Sequence, residues 1–413
     1  MDRKINVLVV PSDRFGCGLY RSVSPHVKLD EMFGNEFNVE INYEPNWNDV
    51  QSLNKYDIIH FHKGLFRDME AFTNALKYCK EHNIVTVMDI DDYWDVGQYH
   101  PLYRSSKTNG MSEKITNNLR LADYVTTTTD IFANKIRKWN KNVLVYPNAI
   151  DPNDEQFSMT KNPSNRIRFG FVMGSSHKKD MEQIIGVFGS LDKSILDKIQ
   201  VVLCGYDLRG NVQVIDENGK VTGTRPISEL PTKSVWYEYE RIVTNDFKIV
   251  SDNYKDFLFK FLPNAQYPLV DNECYRREWT KNVKEYGKHY NNVDVLLVPL
   301  HTTPFNEVKS ELKFVEAGFT NTAVVATDFG PYQIGSVNLF EKGGTINENG
   351  NCILIDPSKK HKAWAKAIKK LVENPQLIDL LKHNMHEHVK DTYNLENVTK
   401  KRAEWYKQII RKD

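Results

Sequence analysis

The strongest constraint on this chain is a rhythm: short, continuous apolar runs alternate with helix-like stretches, the alternation pauses, and then it begins again. In the first third of the chain, the runs at 5–10, 37–43, 57–62, 84–89, 124–128 and 143–146 read as strands. They are rich in Val, Ile and Thr and mostly do not alternate with polar residues, as expected of parallel strands buried on both faces. Between them, residues 67–82 carry Met69, Phe72 and Leu76 at helical spacing, and 111–122 and 131–139 do likewise. Strand–helix repetition of this kind predicts a doubly wound α/β sheet.

A polar stretch at 152–165, with Pro152 and Pro163, predicts a linker. The rhythm then restarts with strands at 167–173, 199–205, 294–300, 322–327 and 351–356 and a helix at 180–191. Residues 206–290 are harder to read. Asn218-Gly219 suggests a hairpin turn, 253–262 a helix, and 275–290 a polar, aromatic helix. Closing helices are expected near 358–373, 376–390 and 396–411. In the last one Val398, Trp405, Tyr406 and Ile409 form an apolar stripe. The second domain's strands are complete by Ile355 and the two preceding helices can cover them, so this stripe is expected to pack on the first domain. The 413 residues thus divide into an N-terminal Rossmann-like domain, 1–152 with 394–413, and a C-terminal one, 153–393, with an extended segment at 206–290.

Bulk properties exclude several classes. A formal net charge of +1 gives no field for nucleic acid. Five cysteines lie far apart with no CxxC pair, which argues against zinc or a disulfide framework and fits a reducing cytosol. The apolar start is too short for a signal peptide and no stretch reaches membrane-helix length, so a cytoplasmic protein is expected. Lys and Arg outnumber Asp and Glu near the C-terminus; this reads as a solvated helix face, with weak peripheral attraction to anionic lipid as the alternative.

In open parallel sheets, ligands bind beyond the carboxyl ends of the strands. After the first strand comes Gly16-Cys17-Gly18, followed by Arg21 where a dinucleotide fingerprint would want glycine. It is either a tight turn or a phosphate loop, with Arg21 near a phosphate or an acceptor. After the fourth strand stand Asp89, Asp91, Asp92, Tyr93 and Trp94. Carboxylates beside rings suit sugar hydroxyls, which makes Asp92 and Tyr93 acceptor candidates. Asp89-x-Asp91 also has the form of a metal-binding DxD, and helix capping is a third reading. The second half opens with Gly174-Ser175-Ser176-His177-Lys178, either a plain loop or a diphosphate cradle. The densest constellation is Lys309-Ser310, Lys313 and Glu316. A helix starting near Lys309 would place both lysines on one face and Glu316 two turns along it, although a solvated Lys/Glu face gives the same pattern.

Residues 309–332, KSELKFVEAGFTNTAVVATDFGPY, resemble the donor-binding segment of family-4-type retaining glycosyltransferases. Many of these read glutamate, seven residues, glutamate, then glycine and a Pro-Val-Val-Ala-like strand. Glu316 matches the second glutamate, which implies contact with the nucleotide's ribose. The first glutamate's position is Val308, with Glu307 one residue early; a Lys-Ser subgroup is more similar and implies Lys309 and Ser310 at the donor phosphates. Pro147-Asn148-Ala149-Ile150-Asp151 resembles the segment that ends the family's first domain, and Gly16 and Gly18 match its first glycine loop. The resemblance implies His177 and Lys178 at the donor diphosphate, and Asp91 in place of a histidine that contacts the donor sugar.

The resemblance therefore implies the GT-B architecture, two Rossmann-like doubly wound domains facing across a cleft, with the C-terminal helix crossing back to the first. It also implies sugar transfer from a nucleotide-diphosphate sugar to a glycan or glycolipid acceptor in polysaccharide assembly, with retention and with neither metal nor cofactor. The rival readings are a metal-dependent GT-A transferase using Asp89 and Asp91, a nicotinamide-dependent dehydrogenase, which Arg21 disfavours, and a catalytically silent nucleotide-sugar-binding or assembly protein.

Overall fold

A computed structural model describes residues 3–98, 100, 102–215, 221–263, 265–341, 343–359 and 361–410. The chain divides into two compact units. The first comprises residues 1–153, 302–315 and 389–413, and the second 154–301 and 316–388.

Six parallel strands form the first unit's sheet: β1 (Ile5–Val10), β2 (Phe37–Ile41), β3 (Ile58–His62), β4 (Val85–Asp89), β5 (Tyr124–Thr127) and β6 (Val143–Val145). Their spatial order is β2-β1-β3-β4-β5-β6, so the order reverses beside β1. Alternate residues of each strand point to opposite faces. Leu8 and Val10 of β1, with Ile59 and Phe61 of β3, pack under the helix Met69–Glu81, whose Phe72, Ala75 and Leu76 are buried. Asp68 caps that helix by accepting from the Ala71 N–H at 2.9 Å.

The opposite face, carrying Ile5, Val7, Val9, Ile58 and Val87, is covered by the helices Ser24–Phe33 and Leu395–Ile409. The latter buries the expected stripe of Val398, Trp405, Tyr406 and Ile409, and the Tyr406 hydroxyl lies 2.8 Å from Nε2 of His26. The C-terminal helix thus returns to the first unit, as its stripe requires.

The second unit's sheet is also six-stranded and parallel: β7 (Ile167–Val172), β8 (Ile199–Tyr206), β11 (Tyr275–Trp279), β12 (Val295–Val298), β13 (Ala323–Thr327) and β14 (Ile353–Ile355), in the order β11-β8-β7-β12-β13-β14. Its order reverses beside β7. An antiparallel pair, β9 (Asn211–Ile215) and β10 (Val221–Pro226), stands apart; the Asn218-Gly219 turn lies outside the described residues.

Several expectations need correction. Residues 180–191 do not form one helix: after Lys178–Met181 come two 3₁₀ turns, because Gly186 takes a left-handed φ of 82°. The helix expected over 275–290 is the edge strand β11 followed by the 3₁₀ helix Tyr286–Asn292. The period there is two: Tyr275 and Arg277 both reach Glu240 on the helix Val235–Val243. The polar stretch at 152–165 mostly belongs to the second unit. Gln156 and Phe157 are buried, and Lys161 Nζ donates to the carbonyls of Tyr290 and Val293. Among the described residues no helix is long and apolar enough to cross a membrane.

Candidate active site

In the first unit the neighbouring strands β1, β3 and β4 end together: β3 and β4 close on the polar residues His62 and Asp89, and β1 is followed within three residues by Ser12 and Asp13. After β1, Asp13 organises the turn: Oδ1 accepts from the N–H groups of Phe15 at 2.8 Å and Gly18 at 3.1 Å. Only one of the two glycines is forced by the fold. A Cβ on Gly18 would lie 2.0 Å from the Asp13 carbonyl oxygen, whereas one on Gly16 would meet nothing within 4 Å.

Arg21 has a different job from the one its sequence position suggested. It is 1% exposed and pairs with Asp89, the last residue of β4, through Nε to Oδ1 at 2.9 Å and Nη2 to Oδ2 at 2.8 Å. Its Nη1 donates to the Tyr146 carbonyl at 2.7 Å and to Asn148 Oδ1 at 3.1 Å. With these donors engaged and the side chain buried, Arg21 ties three chain segments together instead of facing an acceptor. Asp89 Oδ2 also accepts from Thr126 Oγ1 at 2.6 Å, so both its oxygens are taken. Burial pushes the Asp89 carboxyl up, but Arg21 outweighs it and holds the group below the ordinary 3.8. The Asp89-x-Asp91 pair is therefore not laid out as two free metal ligands.

Asp91 belongs to a second network. Its Oδ1 lies 3.0 Å from Nε2 of His62, the last residue of β3, and 2.8 Å from Lys63 Nζ. His62 Nδ1 lies 2.7 Å from the hydroxyl of Ser12, which follows β1. Lys63 takes a left-handed φ of 59°, uncommon for a side-chain-bearing residue, in making the turn that brings its ammonium to Asp91. Burial raises the Asp91 carboxyl, yet Lys63 and His62 hold it well below 3.8. Cys17 Sγ and carboxylate oxygens of Asp91 and Asp92 lie within 4.8 Å of one another, but Lys63 already supplies a cation, 4.0 Å from Asp92. Tyr93 is half-buried, its ring 5.6 Å from Lys135 Nζ. Ser12, His62 and Lys63 escaped the sequence reading; their only signal was a polar ending, His-Phe-His-Lys, on an apolar strand.

The Lys309 segment needs a larger correction. Residues 302–315 cluster with the first unit rather than with the second domain. Val308 is fully buried in the core around Phe61 and Phe72, Asn148 Nδ2 donates to Ser310 Oγ at 2.9 Å, and Lys135 Nζ meets Glu307 at 2.6 Å. No helix starts at Lys309. Thr303 caps a short one, Pro304–Glu307, and the next begins at Leu312, so Lys309 and Lys313 do not share a helix face. Lys309 is half-buried with Nζ 5.1 Å from the Phe305 ring centre. Glu311, also unforeseen, is buried, and burial raises its carboxyl.

In the second unit the loop after β7 has the opposite character. Gly174, Ser175 and Ser176 are exposed, and a Cβ on Gly174 would meet nothing within 4 Å, so a ligand can approach the main chain there. The Tyr239 hydroxyl holds the loop by donating to the Ser175 carbonyl at 2.9 Å. His177 Nδ1 lies 2.7 Å from Asp180 Oδ2, and Lys178 Nζ makes an exposed pair with Glu238 at 2.8 Å. Glu316 is 1% exposed, and its Oε2 accepts from the Tyr290 hydroxyl at 2.6 Å.

No family model matches the sequence, and no curated protein matches it. Solved structures do match over nearly the whole chain. HepE of Anabaena, in complex with UDP and glucose, superposes with a TM-score of 0.61 at 12% identity, covering 98% of this chain and 99% of that one. A glycosyltransferase from Rickettsia africae superposes at 0.57 with 11% identity, covering 100% of both chains. The catalytic domain of starch synthase IV from Arabidopsis thaliana, bound to ADP and acarbose, gives 0.59 at 9% identity, covering 98% and 99%. Two parallel six-stranded sheets with flanking helices, matched end to end by these structures, give the chain the GT-B fold of glycosyltransferases.

Proposed function

We propose that this protein is a glycosyltransferase that moves a sugar from a nucleotide-diphosphate sugar to a glycan or glycolipid acceptor, with retention at the anomeric carbon and without a metal. One observation carries the reading: in each sheet a glycine turn follows the strand at which the order reverses, Gly16 to Gly18 after β1 and Gly174 to Ser176 after β7. That is where doubly wound sheets take phosphorylated ligands. The similarity of residues 309–332 to a donor-binding segment supports the same reading.

In this proposal the exposed main chain of Gly174 and Ser175, with His177 and Lys178, receives the diphosphate. Lys309, Ser310 and Lys313 meet the charge that grows on the leaving diphosphate as its bond to the anomeric carbon breaks. Glu316, oriented by Tyr290, takes the ribose, while Gly16, in the turn that Gly18 lets close on Asp13, leaves room for the donor, and Asp92 and Tyr93 face the acceptor. The second reading, a silent nucleotide-sugar binder, is motivated by Val308, a buried core residue, standing where the resembling segment has its first glutamate.

Because structures of HepE hold UDP and UDP-glucose, UDP-glucose is the first donor to try. A thermal-shift panel of UDP, GDP, ADP and CMP should give a raised Tm with one nucleotide. UDP release from UDP-glucose should persist in EDTA. A protein that no nucleotide stabilises and that releases none refutes the proposal, and activity lost to EDTA and restored by manganese refutes its metal-free form.

A further inference from the structure

We propose that Asp180 is a positioning residue that makes His177 bind the donor diphosphate as an imidazolium, so that binding of the nucleotide sugar takes up a proton; the inference rests on the transferase reading above. The Asp180 side chain is only 5% exposed, and its two oxygens reach two different loops of the second unit. Oδ2 lies 2.7 Å from His177 Nδ1, in the loop after β7, and Oδ1 accepts from the His301 N–H at 2.7 Å, in the loop after β12. Gln183 braces the same place. Its Nε2 donates to the Leu300 carbonyl at 2.6 Å, and its Oε1 accepts from Thr327 Oγ1 at 2.9 Å, at the end of β13. Thr327 Oγ1 in turn accepts from the Leu300 N–H at 2.9 Å. The carboxyl ends of the adjacent strands β7, β12 and β13 are thus tied together beneath a partly exposed imidazole.

The proton state of the ring follows from its partner. A carboxylate only accepts, so Nδ1 carries a proton whether the ring is neutral or charged. In the neutral ring Nε2, on the far side from Asp180, then presents a lone pair, which repels a phosphate oxygen. Only the imidazolium offers a second N–H there. A diphosphate held through Nε2 therefore selects the charged ring, which the neighbouring carboxylate also favours, and the proton comes from solvent as the ligand arrives.

The other groups around His177 leave that choice to Asp180. Lys179 pairs with Glu182 in the next turn at 2.8 Å, and Lys178 pairs with Glu238 of the helix Val235–Val243, also at 2.8 Å. From the same helix comes Tyr239; burial pushes its hydroxyl up, so it stays neutral and donates to the Ser175 carbonyl. His301 comes from the loop after β12. The lysines are matched by surface glutamates, and the buried Asp180 serves as the ring's own counter-charge.

The same two bonds would also serve merely to clamp the loop after β7 to the loop after β12. Asp180→Asn separates the roles. The amide keeps an oxygen for the His301 N–H and turns its NH2 to Nδ1, which then accepts. The proton of the neutral ring moves to Nε2, so the variant donates to phosphate without taking up a proton.

The test is an equilibrium titration of the full chain from about pH 5.5 to 8.5, across the range in which imidazole titrates. The ligand is UDP-glucose, or GDP- or ADP-glucose where the thermal-shift panel selects that nucleotide. Both phosphates of such a sugar keep their single charges over this range, unlike the terminal phosphate of UDP, so the pH dependence belongs to the protein. Wild-type affinity should fall as the pH rises, approaching about tenfold per pH unit at the alkaline end. Calorimetry in buffers of different ionisation enthalpy should show uptake of up to about one proton. Asp180→Asn should give a flat profile without uptake, with weaker binding than the wild type near pH 6 and binding at least as tight near pH 8.5. His177→Gln should be equally flat, with a loss of about tenfold or more near pH 6. A wild type that binds with a flat profile and no uptake, or either variant keeping the wild-type slope, overturns the coupling and leaves the transferase reading standing. Weaker binding by Asp180→Asn at every pH, with the slope retained, is the result a clamp alone would give. A wild type that no nucleotide or nucleotide sugar binds removes the transferase reading, and the coupling falls with it.

Discussion

The two units are built on the same plan, yet they use charge in opposite ways at the carboxyl ends of their strands. In the first, Arg21, Asp89, His62, Lys63 and Asp91 are bonded mainly to one another, and all but the partly exposed Lys63 are almost wholly withdrawn from solvent. In the second, the loop after β7 is left open with bare main chain. The second unit also has a buried arginine–carboxylate pair, Arg277 with Glu240, but it lies between the edge strand β11 and a helix, under the rings of Tyr206, Phe261 and Trp279. One unit thus places its buried charge at the carboxyl ends of its strands, and the other at its edge and, through Arg168 and Asp294, at the amino ends of β7 and β12.

The largest test of this division is removal of the last helix. Cutting the chain after Tyr393 deletes Leu395, Val398, Trp405, Tyr406 and Ile409, all buried on the first sheet. At about 1.5–3 kcal/mol for each large side chain, the loss is on the order of a whole domain's stability. Calorimetry should show the first unit's transition abolished and the second's retained. Two intact transitions would mean that the helix is not part of the first unit's fold.

Next come the buried pairs. Asp89→Ala and Glu240→Ala each strand a buried guanidinium, which costs about 3–5 kcal/mol. The two losses should fall on different transitions: Asp89→Ala on the first, with UDP release abolished, and Glu240→Ala on the second. Equal loss of both transitions in either variant would show that the units unfold as one and would dissolve the contrast drawn here.

What the sequence disclosed follows the same line. The continuous apolar runs named β1, β3, β4, β7, β8, β12 and β13 because a strand buried on both faces has no other pattern. β11 was hidden because Arg276, Arg277 and Glu278 make it polar, and only Glu240, distant in sequence, makes Arg277 an interior residue. The false helix start at Lys309 has a local cause: Thr303-Pro304 opens an earlier helix, and Val308 is drawn into the first unit's core. The glycine turns were legible as motifs. The Ser12–His62–Asp91 line was not, since residues 50 and 29 positions apart meet only when three strands are laid side by side.

A smaller contrast is expected with pH. His26 and His60 lie buried in the first unit, and burial holds both well below the ordinary 6.5. The unfolded chain takes up their protons below 6.5 while the folded unit does not, so stability is present above that value and lost as the pH falls. Each contributes about 1.4 kcal/mol per pH unit. In the second unit, burial lowers the half-buried His388 in the same direction. Burial also lowers Lys161 of the second unit to about 6, so that its own slope ends near that pH. Between pH 6 and 5 the first transition should therefore fall faster, and His60→Phe should reduce the slope at little cost, because neither ring nitrogen of His60 has a hydrogen-bond partner. Parallel slopes for the two transitions would contradict this.

The smallest expected effect decides to which function Ser310 answers. Its hydroxyl accepts from Asn148 Nδ2, and Asn148 Oδ1 in turn accepts from Arg21, so Ser310 hangs on the end of the first unit's buried network. If holding the 302–315 segment is its whole role, Ser310→Ala should cost about 0.5–1.5 kcal/mol, the worth of one ordinary hydrogen bond, and leave UDP affinity unchanged. If Ser310 also receives a donor phosphate, the variant loses a hydrogen bond to a charged group, worth about 1.5–3 kcal/mol, and UDP affinity should fall about tenfold or more. The transferase proposal requires the second outcome. Asn148→Ala separates the two contributions, because it removes the stabilising bond and leaves the hydroxyl in place. Paired melts and UDP titrations should therefore give the larger loss of stability in Asn148→Ala, which also takes an acceptor from Arg21, with weakened nucleotide binding in Ser310→Ala alone. Equal weakening in both would mean that what the nucleotide needs is the position of the segment and not the hydroxyl.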